Sequence, residues 1–211
     1  MSEPKTYKLE ATELIPNSPY LLVHYPGFFL SDGQAVDAAA VYDVFARNGW
    51  ETQWIFRYGP IQRSHYHSQT HECMAVLSGT ATIRFGVSDM DEGSTYATRR
   101  GQGGLELHAK SGDVFVIPAG VSHKTYETSP PADLELLTPG EGRGIAGIDV
   151  RQVLERVQLS GFTMMGAYPQ GGVWDFATGG EHAGNYEAVW SVPKPDRDPV
   201  MGKGGVCGLW V

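Results

Sequence analysis

Three of the chain's seven histidines, His65, His67 and His71, fall within "HYHSQTHECMAVLSG", and Glu72 stands directly behind the third. Imidazole and carboxylate crowded in this way serve metal ligation, proton transfer, or plain hydrogen bonding on a polar turn. Periodicity speaks to the first of these. His65 and His67 are two residues apart, so on an extended segment both side chains leave the same face. Aimed into a barrel, two such imidazoles make half of a metal site. Glu72 follows a short turn and opens a strand able to pair back and present its carboxylate to the same spot. A fourth donor must come from elsewhere, and "GDVFVIPAGVSH" offers His123. Pro118-Ala119-Gly120 turns the chain there, so His123 is expected to begin a new strand beside the old one.

Those side chains need a scaffold, and the sequence around them reads as strands. From Gln53 to about Thr138, "TQWIFRYG", "CMAVLSG", "TATIRFG", "LELHAKSG" and "DVFVIPAG" are short β-type runs, each closed by glycine or proline-glycine. Strands at such regular spacing predict a barrel or sandwich. The 27 glycines and 13 prolines agree with many tight turns. "VSDMDEGSTYATRRGQGG" reads as a long surface loop. Its "RRGQGG" lacks the pattern and the strand-to-helix context of a phosphate loop.

Either side of this core the pattern changes. Residues 1–30 are extended and broken by Pro16, Pro19 and Pro26, with "YLLVHYPG" as an edge strand or packed arm. Val36, Ala40, Val44 and Phe45 predict an amphipathic helix over 34–48, capped by Ser31 or Asp32 and stopped at Asn48-Gly49. Val150, Val153, Leu154 and Val157 fit a short second helix. Beyond it, short strands are expected to alternate with proline-rich turns. The organisation is then one domain: an arm and helix at 1–52, a barrel core at 53–138, an insert at 139–160, and strands at 161–211 completing the barrel. Residues 140–160 fit either a mobile lid over the mouth or a packed outer helix.

Composition narrows the function classes. A length of 211 residues suits one large domain, and the net charge of -8 lacks the basic stripe that nucleic acid requires. Two distant cysteines, Cys73 and Cys207, point to reduced thiols rather than a disulfide framework. The N-terminal residues carry no apolar core of a signal peptide, and no run approaches the ~18 apolar residues of a membrane span. A soluble, cytoplasmic protein with a small-molecule partner, and with no nucleic-acid or membrane partner, is expected.

The spaced positions also carry a family likeness. Gly59, His65, His67, Glu72 and Gly79, separated by five, one, four and six residues, resemble the first motif of the cupin superfamily. Gly112, Pro118, Ala119, Gly120 and His123 resemble the second, with Glu127 where the family usually has asparagine. Outside the motifs, "NGWETQWIFRYG", "FTMMGAYPQG" and "PKPDRDPVMGKGG" extend the likeness to single-domain cupins of the YjlB type over roughly 14–210. Only "GEGRGIAGIDVRQVLERVQLSG" looks like an insertion. The resemblance implies an all-β fold, the cupin double-stranded β-helix or jelly-roll barrel, with an N-terminal helix and a short additional helix. It also implies metal ligands at His65, His67, Glu72 and His123. Such a donor set suits one divalent ion of Fe, Mn, Ni, Co or Zn, with one or two positions left for water or substrate. The motif tolerates three or four residues before its carboxylate position, which would admit His71, but the spacing to Gly79 favours Glu72.

Other residues carry less. Arg63 shares strand parity with His65 and His67, so it is a candidate for a substrate carboxylate or for a salt bridge at the barrel mouth. His71 is a candidate proton shuttle at the rim, near its ordinary pKa. His108 is expected on an outer face, and His24 and His182 are expected to be structural. Cys73 points away from Glu72, and the five tryptophans read as core or interface packing. The leading function is a metal-dependent enzyme acting on a small organic molecule, with oxidoreductase or dioxygenase-like chemistry slightly favoured on analogy. A non-redox lyase, isomerase or hydrolase, a small-ligand binder without turnover, and a barrel stapled by its metal are the alternatives. Pairing through an edge strand or the N-terminal arm predicts a homodimer.

Overall fold

The computed structural model describes residues 3–30, 35–90 and 104–211. Two antiparallel sheets carry the fold. The larger contains β1 (Lys5–Tyr7), β2 (Leu22–Tyr25), β3 (Trp50–Arg57), β4 (Glu72–Ser78), β7 (Val114–Ile117), β9 (Glu135–Leu136) and β10 (Thr163–Pro169). Their order is β1-β2-β7-β4-β10-β3-β9. The smaller sheet is β6 (Leu105–Lys110), β5 (Thr80–Phe85) and β8 (His123–Ser129), in that order.

Strand alternation explains why the larger sheet can be covered on both faces. In β4, Met74 and Val76 join Ile83, Phe85 and Phe115 in the core between the sheets. Cys73, Ala75 and Leu77 point the other way, into a second core with Val41, Phe45 and Trp210. A slip of one residue would exchange the two sets. The pairing of Cys73 with Val116 and of Met74 with Phe115 holds that register. Gly79 ends β4 at φ 71°, where an added Cβ would stand 2.5 Å from the Gly161 carbonyl oxygen, so the turn tolerates no side chain.

The outer core is roofed by α1 (Ala38–Arg47) and α2 (Val150–Glu155). Asp37 caps α1 by accepting from the Ala39 amide at 2.9 Å. The expected helix start was earlier, and the caps proposed for it, Ser31 and Asp32, lie outside the described residues. The stop at Asn48-Gly49 is as expected, with Gly49 at φ 75°. Leu154 of α2 is buried in the outer core and Arg151 pairs with Asp43 of α1 at 3.1 Å. This part of the 140–160 segment is therefore a packed outer helix.

Two expectations are corrected. β8 does not run beside β7 but crosses to the smaller sheet, where His123 pairs with Phe85. The segment after β10 is not a series of strands; it is loop with α3 (Tyr186–Trp190) and α4 (Val206–Leu209). Proline and glycine prevent ladder pairing there, and side chains tether the loop instead. Buried Asp198 accepts from Tyr25 Oη and from the amides of Val200, Met201 and Val206. The N-terminal arm is both edge and interior: β1 is the sheet edge, while β2 lies inside against β7. Among the described residues, no helix is long and apolar enough to cross a membrane.

Candidate metal centre

The segment His65–His67 is held extended from both sides. His65 and His123 exchange backbone hydrogen bonds of 3.1 and 2.8 Å, and Tyr66 exchanges bonds of 2.8 and 3.1 Å with Ala177. The middle residue therefore turns outward, where Tyr66 Oη meets His182 Nδ1 at 2.7 Å. Its neighbours turn inward. Glu72 and His123, the first residues of β4 and β8, complete the group from opposite sheets.

Donor atoms of His65, His67 and His123 lie within 4.8 Å of one another, and all three residues are buried, so this cluster could hold a metal ion. The Glu72 carboxylate lies 3.4 Å from His67 Nε2 and 3.2 Å from His123 Nε2. The tautomers follow from the other ring nitrogen. Each Nδ1 faces a backbone carbonyl: Arg63 at 3.1 Å, Val121 at 3.4 Å, and Asp175 by a short bond. A carbonyl only accepts, so Nδ1 carries the proton and each Nε2 presents a lone pair to the centre. Glu72 adds another. His67 Nε2 and Glu72 Oε2 are left buried without a hydrogen-bond partner. Converging lone pairs of this kind repel in a buried site, and a cation resolves the conflict. The residues present fit a divalent metal.

Electrostatics within the group keep His65 neutral and Glu72 ionised, while Glu72 draws a proton towards His67. Burial lowers the His65 pKa well below the ordinary value, and the neighbouring His123 and His67 lower it further. At His67 burial also works against the imidazolium, but Glu72 outweighs it and the pKa rises. Glu72 is driven well below the carboxylate range, because His67 and His123 overcome the opposing effect of burial.

A relay outside the cluster orients the carboxylate. Tyr168 Oη donates to Glu72 Oε1 at 2.7 Å and accepts from Trp54 Nε1 at 3.1 Å. Gly166 makes room for that indole: a Cβ there would stand 2.0 Å from Trp54 Cζ2. Oε1 also lies 3.4 Å from His67 Nε2, and Oε2, 3.2 Å from His123 Nε2, is the oxygen left without a hydrogen bond.

Above the cluster opens a cavity of about 350 Å³. Trp54, Phe56 and Tyr58 of the β3 region, with Tyr168, Trp174 and Phe176, form its walls, and Arg63 stands at the mouth. The loop after β10 builds the front wall. Asp175 fixes it by accepting from the Ser68 amide at 2.6 Å and the Ser68 hydroxyl at 2.7 Å. Trp174 is held by its Nε1 bond to the Gly142 carbonyl at 3.1 Å and by the Arg143 guanidinium 4.2 Å above its ring. Phe176 stacks on His65 with ring centres 4.0 Å apart.

The structure thus brings together His65, His67, Glu72 and His123, and places Arg63 at the mouth with a 3.4 Å bond to Thr178 Oγ1. It does not bring in His71. That ring accepts from the Ala119 amide at 2.9 Å, donates to the Pro193 carbonyl at 3.1 Å, and packs against Trp210. Burial holds its pKa down to about 4, so it is neither a rim residue nor a shuttle near neutral pH. His108 is exposed on β6, His24 stacks on Phe115, and Cys73 faces the outer core. Trp54 is a core residue as expected and Trp174 packs against that core, and both also line the cavity. For Trp54 a signal existed, since Trp54, Phe56 and Tyr58 alternate at the strand period. Tyr168 and Trp174 carried none. Glu127, in place of the motif asparagine, sits at φ 52°, a left-handed position that asparagine tolerates better. The "RRGQGG" run lies mostly outside the described residues.

Comparison with known proteins places this chain as follows. A family model described as "Cupin" matches residues 58–135. The uncharacterized protein YjlB of Bacillus subtilis (strain 168) is 31% identical over 205 residues, covering 95% of this chain and 92% of its own. Among solved structures, the Lactobacillus farciminis oxalate decarboxylase formate complex aligns over 82% of this chain and 33% of its own, at 12% identity and TM-score 0.31. A Solanum melongena vicilin aligns over 58% of this chain and 25% of its own, at 19% identity and TM-score 0.30. The chain spans a third or less of the length of these two solved proteins.

Proposed function

This chain belongs to the cupin family, in its YjlB-type branch, and on that premise we propose that it is a mononuclear metal-dependent enzyme acting on a small organic molecule. The observation that carries this reading is the buried cluster of His65, His67 and His123 donor atoms, with the Glu72 carboxylate beside His67 and His123, lining an open cavity. His65, His67, His123 and Glu72 would hold the ion. Four protein ligands leave coordination positions free, as catalytic sites do. A bound divalent ion would supply Lewis acidity there and, if Fe or Mn, electron transfer as well.

The chain's own residues do the rest. The carbonyls of Arg63, Val121 and Asp175 fix each imidazole in one tautomer, and Tyr168 fixes Glu72. The aromatic walls exclude water around a bound molecule and so strengthen the field of the charges inside. Oxidoreductase chemistry of the dioxygenase kind is the leading assignment, with non-redox lyase, isomerase or hydrolase chemistry beside it.

One observation favours a second reading, capture of a ligand without turnover. Apart from His65, His67, Glu72 and His123, the cavity lining among the described residues contains no carboxylic acid and no imidazole. Elemental analysis paired with oxygen uptake in the presence of small acids and phenols separates the readings. Iron or manganese with oxygen consumption supports the oxidoreductase. Tight zinc, no gain from Fe(II) and no oxygen uptake removes it, and ligand capture without product by mass spectrometry supports the binder. Strand β1, at the sheet edge, supports a homodimer, which light scattering at micromolar concentration tests.

A further inference from the structure

We infer that the molecule this cavity takes is a small aromatic carboxylate, its ring between the aromatic walls and its carboxylate at Arg63. The inference rests on the metal reading above for its charge balance and on the cavity itself for shape and surface.

Size comes first. About 350 Å³ lies near the lower end of the ~300–1,000 Å³ typical of small-molecule sites. One substituted ring fits; a nucleotide cofactor does not. Surface comes second. The walls are dominated by rings, which meet another ring through offset or edge contacts worth more than area burial alone. Around the mouth, Ile61, Leu134 and Phe176 are 45%, 65% and 49% exposed, and all three line this one cavity. Large apolar side chains gathered at one opening mark a surface that a ligand covers.

Charge comes third. Among the described residues, Glu72 is the one acid lining the cavity and Arg63 the one permanent cation. With a divalent ion held by Glu72 and three neutral imidazoles, the floor is net positive, and Arg63 adds a second positive centre at the mouth. Among the described residues, the Arg63 side chain has one hydrogen bond, the 3.4 Å contact with Thr178. Glu181 shares that hydroxyl at 3.1 Å, but its carboxylate is already taken by the amides of Thr178 and Gly179. The planar fork of Arg63 therefore remains available for a bidentate carboxylate. A neutral apolar ligand would leave that charge uncompensated, and a small hydrophilic anion would leave the walls uncovered.

The test is calorimetric titration of the metal-loaded full chain with 3-phenylpropionate, its neutral amide, 3-cyclohexylpropionate and acetate. The acid is expected to bind at least ten-fold more tightly than the amide or acetate, and several-fold more tightly than the saturated ring. Arg63→Gln, an exposed position that leaves the core intact, is expected to lower affinity for the acid about ten-fold and leave the amide unchanged. Phe176→Leu is expected to weaken both several-fold. Acetate or the amide binding as well as the acid, or Arg63→Gln binding the acid like the wild type, would overturn the inference. Equal binding of the saturated acid would overturn its aromatic part. Metal content measured on the same sample separates the two claims. Protein that never takes up metal loses the metal reading and this inference together, whereas loaded protein without these preferences loses this inference alone.

Discussion

His71 is more deeply buried than the histidines of the candidate metal centre, at 1% exposure against 5%, 5% and 3% for His65, His67 and His123, yet its ring is used in the opposite way. In the centre, each ring gives its Nδ1 proton to a backbone carbonyl and keeps the Nε2 lone pair unspent. His71 spends both nitrogens, one on the Ala119 amide and one on the Pro193 carbonyl. Burial alone therefore does not distinguish a ligand from a staple; the fate of the second nitrogen does. His71 pins the turn after β7 to the loop near Pro193. Its neighbour Glu72, one position on, faces the inner core and supplies the carboxylate.

This contrast can be broken at either end. Removing two ligands in a His65→Ala/His123→Ala variant is expected to abolish metal binding while the fold persists. A ligand present at ~1,000 times its Kd contributes about 4 kcal/mol, so chelation should lower the wild-type Tm by roughly 10 °C and leave the variant unmoved. Differential scanning calorimetry with and without EDTA reads both. At the other end, His71→Ala should destabilise the protein by about 3 kcal/mol in denaturant unfolding, through a cavity and two unpaired backbone groups, while metal stoichiometry stays unchanged.

Acid sharpens the same contrast. His71 sits at about 4 because of burial, against 6.5 for the ordinary imidazole. Its folded pKa is depressed, so the unfolded chain takes up the proton first. Its contribution is fully present above pH 6.5 and is lost as pH falls towards 4, at up to about 1.4 kcal/mol per pH unit. In metal-free protein, His71→Gln should show a shallower loss than wild type across that window, and parallel curves would contradict the assignment. A smaller effect is expected at Tyr168. Tyr168→Phe frees Glu72 Oε1 and should weaken metal affinity about 10–100-fold with little change in stability, as read by competition with a chelator. Smallest of all, Glu127→Asn should stabilise the protein by roughly 0.5 kcal/mol by relieving the left-handed backbone, without touching metal content.

The parts of this arrangement legible in the sequence are those set by local spacing. His65 and His67 share a face because strand side chains alternate, and Gly79 marks the end of β4 because only glycine fits there. The core strands and the stop of α1 followed from the same local rules. What the sequence left hidden depends on pairing across long separations. That β8 leaves the larger sheet is decided by its partner β5, about forty residues away, rather than by anything in "PAGVSH". Tyr168 reaches Glu72 across 96 residues, and Trp174 becomes a wall because Asp175 clasps Ser68. Neither tryptophan nor tyrosine announces such a partner in its own neighbourhood. Spacing to Gly79 already favoured Glu72 over His71 as the ligand, but the burial of His71 was invisible, since Ala119 and Pro193 meet it only after folding.

The central claim is that three histidines and Glu72 hold a metal while His71 does not. Elemental analysis of the purified full-length wild type, the His65→Ala/His123→Ala variant and His71→Ala, after loading and desalting, tests it most directly. The account predicts about one divalent ion per chain in the wild type and in His71→Ala, and none in the double variant. A wild type that retains no metal, or a double variant that retains as much as the wild type, would contradict it.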